Sequence, residues 1–243
     1  MAKLKDLIDE LVTANRILAN EGIVDSFGHV SVRHPKDSQI YLLSRARAPE
    51  LVEAKDILAY RLDGEPADAK HAKGAAPYIE RFIHGAIYEA RPDVRSVVHN
   101  HSPSTIPFGV TGTALKPVQH MCASMGHEVP LWDSQDRFGD TALLVNSMEM
   151  GRDLAARLGQ GSALLMRGHG AVVAAGSIRQ AVFVSVYLER NAKLQMQAMS
   201  LGRVRFLSKG EVDAVIARTG PYTLDRAWEA FARRALRKRK EPR

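Results

Sequence analysis

Apolar side chains recur with a helical period over residues 3–21, at Leu4, Leu7, Ile8, Leu11, Ile17 and Leu18, and the pattern stops near Gly22. Beyond it the period changes. His29-Val-Ser-Val-Arg33 and Ile40-Tyr-Leu-Leu43 alternate or run apolar over strand lengths, with the turn-like His34-Pro-Lys-Asp37 between them. Ile57–Leu62, closed by Asp63-Gly64, predicts a third strand and its turn. Glu80–Ala90 is helical by the spacing of Phe82, Ile83, Ala86 and Ile87, and it ends before Arg91-Pro92 because the residue preceding proline avoids the helical region. Ser96-Val-Val-His-Asn-His101 predicts a buried strand that delivers its end into polar residues. Thr141–Val145 and Ser162–Met166 predict further strands, Met148–Leu158 and Ile178–Leu201 helices. Clusters of strands flanked by helices predict one layered α/β domain with a mixed or antiparallel sheet.

Composition adds bounds. A chain of 243 residues, 45% hydrophobic and 25% charged, is long enough to bury a large core. The single cysteine, Cys122, rules out an intrachain disulfide framework and suits a reducing compartment. No apolar run reaches membrane-spanning length, and the amphipathic first residues carry acids unlike those of a targeting peptide, so a cytoplasmic location without a membrane partner is expected. Of the net charge of +7, net +6 lies in residues 233–243. The expected organisation is therefore a domain over residues 1–232 and a basic C-terminal tail. A solvated helix end explains such a tail better than a nucleic-acid arm, and no nucleic-acid partner is expected.

The chemistry lies in the nine histidines. On a strand, His99 and His101 share one face with β-carbons about 7 Å apart, close enough for two imidazoles to meet one ion. His169 sits in Arg167-Gly-His-Gly170, where flanking glycines allow close backbone approach. Three imidazoles with open positions make up a catalytic divalent-metal site. Each piece has a plainer reading, as a hydrogen-bonded core or loop histidine.

At these residues the sequence resembles the class II aldolase/adducin family. The resemblance is carried by Phe27-Gly-His-Val-Ser-Val-Arg33, Glu80 opening a helix, Arg91-Pro-Asp-Val followed by Val97-Val-His-Asn-His101, and Arg167-Gly-His-Gly170 with Gly176, over about residues 5–200. It implies a three-layer α/β/α fold around a nine-stranded, mainly antiparallel sheet, and a homotetramer with active sites between subunits. It also implies one divalent ion per subunit, Zn2+ or Mn2+ with Fe2+ as an alternative, bound by His99, His101 and His169. Glu80 would complete the metal site and then act as acid/base; its plainer reading is a helix N-terminal acid favoured by the dipole.

The departures from the family bear on substrate. The sugar-phosphate members hold phosphate with residues that are here replaced by His29, by Tyr78 and Ile79 before Glu80, and by Leu43-Ser-Arg-Ala-Arg47. Ser44, Arg45 and Arg47 would instead meet a substrate carboxylate, together with His29 and Tyr78. His120 stands where those members often place a catalytic tyrosine from a neighbouring subunit. These changes resemble the family's decarboxylases of hydroxylated aromatic or heteroaromatic carboxylates. The expectation is a metal-dependent carbon–carbon lyase acting on a small anionic carboxylate. Alternatives are an aldolase for a hydroxy-keto acid, a sugar or a sugar phosphate, an iron oxygenase, or an adducin-like protein without catalysis.

Overall fold

The structure, a computed structural model, describes residues 4–68 and 73–238. In chain order the elements are α1 (Leu4–Asn20), β1 (His29–Arg33), β2 (Ile40–Ser44), β3 (Ile57–Arg61), α2 (Arg81–Ala90), β4 (Ser96–Asn100), α3 (Ile106–Thr111), β5 (Leu131–Trp132), α4 (Gln135–Phe138), α5 (Met148–Leu158), β6 (Ala163–Met166), β7 (Gly170–Ala175), α6 (Ile178–Leu201), α7 (Lys209–Arg218) and α8 (Pro221–Lys238). The strands form one sheet in the order β3-β2-β1-β4-β7-β6-β5. All neighbours pair antiparallel except β5 with β6.

Side-chain alternation sorts the two faces of this sheet. Val30, Val32, Leu42, Val98, Leu165, Ala171 and Val173 join one core with α1, α6 and α8. Tyr41, Leu43, Leu58, Val97, Leu164, Met166, Val172 and Ala174 join a second core with α2 and α5. Helices cover both faces, which is why the strands read as nearly unbroken apolar runs. On β1 the odd positions are polar, and His29, Ser31 and Arg33 all reach residues of α2. Gly151 lets α5 lie close against α2: a β-carbon there would stand 2.6 Å from the Phe82 carbonyl oxygen. Glycine costs a helix about 1 kcal/mol relative to alanine, and here the close helix packing offsets it.

The three-layer α/β/α architecture is as expected, but among the described residues the sheet has seven strands rather than nine. The Leu115↔Val129 and Tyr60↔Pro66 pairings remain single bridges. The strand expected at Thr141–Val145 is a loop. Thr141 Oγ1 accepts the Leu143 N–H at 3.0 Å, and Leu143 has φ 62°, outside any strand conformation. Val145 is buried in the α2-side core all the same, which explains the apolar pattern. The boundary drawn at residue 232 falls inside α8, which runs on to Lys238; residues 239–243 of the basic tail lie outside the described residues. No helix among the described residues is long and apolar enough to cross a membrane.

Candidate metal centre

Four side chains converge at the polar end of β4. One ligand atom from each of Glu80, His99, His101 and His169 lies within 4.8 Å of the other three. His99 ends the apolar run of β4 on the α2 face, and His101 follows two residues on. His169 is carried in by the tight turn between β6 and β7. Gly168 turns the chain with φ 64°, and Gly170 lets the start of β7 lie close to β4, because a β-carbon there would stand 2.1 Å from the Asn100 carbonyl oxygen. Glu80 occupies the N-cap position of α2 but makes no capping bond. Its carboxylate turns to the histidines, with Oε2 at 3.2 Å from His99 Nε2 and 3.5 Å from His169 Nε2.

Each imidazole is held from behind through Nδ1. The partners are the Ala171 carbonyl for His99 at 3.2 Å, the Asp25 carboxylate for His101 at 3.1 Å and the Leu143 carbonyl for His169 at 2.9 Å. A carbonyl only accepts, so Nδ1 of His99 and of His169 carries the ring proton and Nε2 presents a lone pair. Those lone pairs point at one another. His169 Nε2 is 3.1 Å from His101 Nε2, and the buried Nε2 of His99 makes no hydrogen bond. Facing lone pairs beside a carboxylate repel, and a cation between them removes the repulsion. The donor set thus fits a divalent ion, and the oxygen partner behind each ring is the arrangement that orients metal-binding histidines.

Burial on its own raises the Glu80 carboxyl, but the positive charge of His99 and His169 when they are protonated and the Val145 N–H, which donates to Glu80 Oε1 at 3.0 Å, outweigh it and bring it down to about 2. Burial pushes His169 down to about 4. A cation among these groups would supply that positive charge while the imidazoles stay neutral.

The other anticipated residues divide into two groups. His29 pairs in register with His99 across β1 and β4, and its ring centre lies 5.1 Å from that of His99 and 4.5 Å from that of Tyr78. The Tyr78 hydroxyl donates to the Arg47 carbonyl, so the Ser44–Arg47 loop connects to the metal centre through Tyr78 and His29. Ser44 is fully buried at the end of β2. Arg45 and Arg47 are not free forks: Arg45 Nε and Arg47 Nη1 donate to Asp56 at 2.7 and 2.6 Å. His120 stays apart. It is exposed at the start of a 3-10 turn packed against α6 and α7, and it is not among the side chains grouped with Glu80.

Three participants escaped the sequence reading. Asp25 lies in an irregular segment with no periodic signal. Asp56 precedes the predicted strand at Ile57 and carries no local pattern that ties it to Arg45 and Arg47. His84 stands one helical turn beyond Glu80, a spacing that puts both on one face of α2.

A three-layer α/β fold that brings three histidines and a glutamate to one strand end defines a metal-site enzyme scaffold. The profile of the class II aldolase and adducin N-terminal domain matches residues 9–196, and the chain belongs to that family. It is 34% identical over 203 residues to the decarboxylase tropJ of Talaromyces stipitatus, covering 78% of this chain and 75% of that protein. It is 30% identical over 207 residues to a 3,4-dihydroxyphthalate decarboxylase of Arthrobacter keyseri, covering 80% and 79%. A solved aldolase II superfamily protein from Pseudomonas syringae superposes with TM-score 0.79 at 22% identity, covering 96% of this chain and 93% of the other, a likeness of fold. The chain is an enzyme of the lyase class.

Proposed function

We propose that the chain decarboxylates a non-phosphorylated, hydroxylated aromatic or heteroaromatic mono- or dicarboxylate at a divalent-metal site formed by His99, His101, His169 and Glu80. The observation that carries the reading is the convergence of three imidazole lone pairs on one carboxylate. The tropJ and 3,4-dihydroxyphthalate decarboxylases support the substrate class. A divalent ion in this site supplies Lewis-acid stabilisation of the negative charge that develops as the carbon–carbon bond breaks.

The side chains provide the rest. Glu80 is ionised, so it takes the proton of the substrate hydroxyl as the substrate enters. The bond to the carboxylate breaks, CO2 leaves, and the electron pair stays on the ring carbon. Glu80 returns its proton to that carbon, and solvent reprotonates the departing product's hydroxyl. His29 and Tyr78 line the approach, while Arg45 and Arg47 meet a second carboxylate from the Ser44–Arg47 loop. His120 reaches a site only from another subunit. In the homotetramer with shared sites that we propose, Phe27 and Ile79, 70% and 57% exposed in the single chain, lie at a subunit contact. Protein loaded with Zn2+ or Mn2+ should release CO2 from a panel of hydroxyphthalates and hydroxybenzoates. Release of pyruvate or an aldehyde from hydroxy-keto acids, with no CO2 from the panel, would replace decarboxylation by aldol cleavage.

A further inference from the structure

Behind the metal centre lies a polar chain in the sheet–helix interface. His29 Nδ1 is 2.7 Å from His84 Nε2, His84 Nδ1 is 2.6 Å from Ser31 Oγ, and Ser31 Oγ is 2.8 Å from the Tyr88 hydroxyl. None of the four residues is more than 2% exposed. Such a chain is costly to bury unless every proton has an acceptor.

The far end sets its direction. Ser31 Oγ is the hydrogen-bond partner of the Tyr88 phenol, whose ring lies under the Arg33 guanidinium at 4.7 Å. A buried phenol that failed to donate would leave its O–H unsatisfied, so Tyr88 donates to Ser31. Ser31 has one proton and donates it to His84 Nδ1. An imidazole that accepts at Nδ1 carries its proton on Nε2, and His84 donates it to His29 Nδ1. By the same rule the His29 proton is on Nε2. Reversing every bond would strand the phenol proton.

We propose that Tyr88, Ser31 and His84 are positioning residues whose hydrogen-bond chain fixes His29 as a neutral imidazole with its proton on Nε2, a ready donor to the anionic group of a substrate held beside the metal centre. The proposal deepens the reading of the site given above by assigning how His29 recognises the anion. A site that binds anions through a charged side chain would attract any of them. A neutral donor held in one orientation favours an anion that can accept a directed hydrogen bond.

The test reads the protons directly. Zinc-loaded protein labelled with 15N-histidine is examined by long-range 1H–15N correlation, with signals assigned through His29→Gln and His84→Gln. Proton-bearing Nε2 and lone-pair Nδ1 on both rings are expected. A proton on Nδ1 of His29, or an imidazolium at either position, overturns the proposal. Tyr88→Phe removes the terminal donor, and both rings should then show mixed tautomers while zinc content stays at the wild-type level. Unchanged nitrogen shifts in Tyr88→Phe overturn the assignment of direction; Ser31→Ala, which cuts the chain at its middle, provides the same readout if the first variant folds poorly. Salicylate, as a hydroxy-carboxylate probe, should bind Tyr88→Phe roughly tenfold more weakly, about the worth of one hydrogen bond. If no panel compound loses CO2, the tautomer result still stands or falls independently.

Discussion

The Leu143 carbonyl accepts the Nδ1–H of His169 at 2.9 Å, and Leu143 reaches that position with φ 62°, the one positive φ outside glycine among the described residues. Two residues on, the Val145 N–H holds Glu80 Oε1. One loop therefore orients two of the four metal-centre groups from its backbone. A left-handed residue other than glycine costs about 1–2 kcal/mol, a strain this segment sustains at the place where it sets the site.

Substitution at Leu143 should separate conformation from side chain. Glycine and asparagine tolerate the left-handed region and should keep zinc affinity within about threefold, whereas β-branched Leu143→Val should lower it about tenfold, the usual worth of an outer partner. Competition with a chromogenic chelator measures this. Wild-type affinity in Leu143→Val would show that the loop conformation is not what holds His169.

Loading the site should be visible without any substrate. Elemental analysis is expected to give about one ion per wild-type chain, the occupancy of a single-ion site, and close to none for His99→Ala. Saturating zinc at a hundred to a thousand times its dissociation constant should stabilise the fold by about 3–4 kcal/mol, read as a rise in Tm that His101→Ala abolishes. Equal metal content in wild type and His99→Ala would end the assignment of this centre.

The parts of the molecule legible in the sequence were those with a period or a fixed local motif. The apolar alternation of β1, β2, β3 and β4 and the helical spacing of α2, α5 and α6 are local facts, and they gave those elements nearly to the residue. The His-X-His pair and the Gly-flanked His169 pointed to a candidate metal centre because ligand geometry is written in short spacings, and the structure brings these three histidines together with Glu80. What the sequence hid is non-local. Thr141–Val145 has strand composition, yet it is a loop in which only Val145 is buried, and its backbone meets Glu80 and His169 rather than a neighbouring strand. The Arg45 and Arg47 forks looked free because Asp56, eleven and nine residues away respectively, gives no pattern linking it to them. His84 was passed over among the apolar positions of α2, since nothing local announces that Ser31 and His29 lie across from it.

Acidification should weaken the metal-free fold steeply. Burial brings His84 down to about 3, against an ordinary value of 6.5, and His169 to about 4; Glu80, despite its burial, is brought to about 2 from 4.5. In each case the unfolded chain takes up protons at a higher pH than the folded chain does, so stability falls as pH drops below the unfolded value. The histidine contributions are complete above pH 6.5 and are lost toward pH 3–4, and the Glu80 contribution is lost between 4.5 and about 2. For fully buried His84 the loss is on the order of 1 kcal/mol per pH unit below 6.5. Urea midpoints of metal-free protein at pH 7.5 and 5.5 should differ accordingly, and His84→Gln should narrow the gap. A gap that His84→Gln leaves unchanged would place the acid sensitivity elsewhere.

Asp56 decides what Arg45 and Arg47 are for. Its carboxylate is 2% exposed and accepts from Arg45 Nε, from Arg47 Nη1 and from the Glu53 N–H at 2.9 Å. Burial alone would raise its carboxyl, and the Glu53 N–H with the two guanidiniums holds it below the ordinary range. Such a knot serves either to brace the Ser44–Arg47 loop or to present guanidinium edges at a fixed angle to a substrate carboxylate, and kinetics separates the two. If the pair meets substrate, Arg45→Ala should raise KM about tenfold with kcat nearly unchanged, the pattern of lost uniform binding. Glu80→Gln, which removes the proton carrier, should instead lower kcat by about 10²–10⁴. Should Arg45→Ala lower Tm and leave KM alone, the pair braces the loop, and the substrate carboxylate must find its partner at His29 and Tyr78.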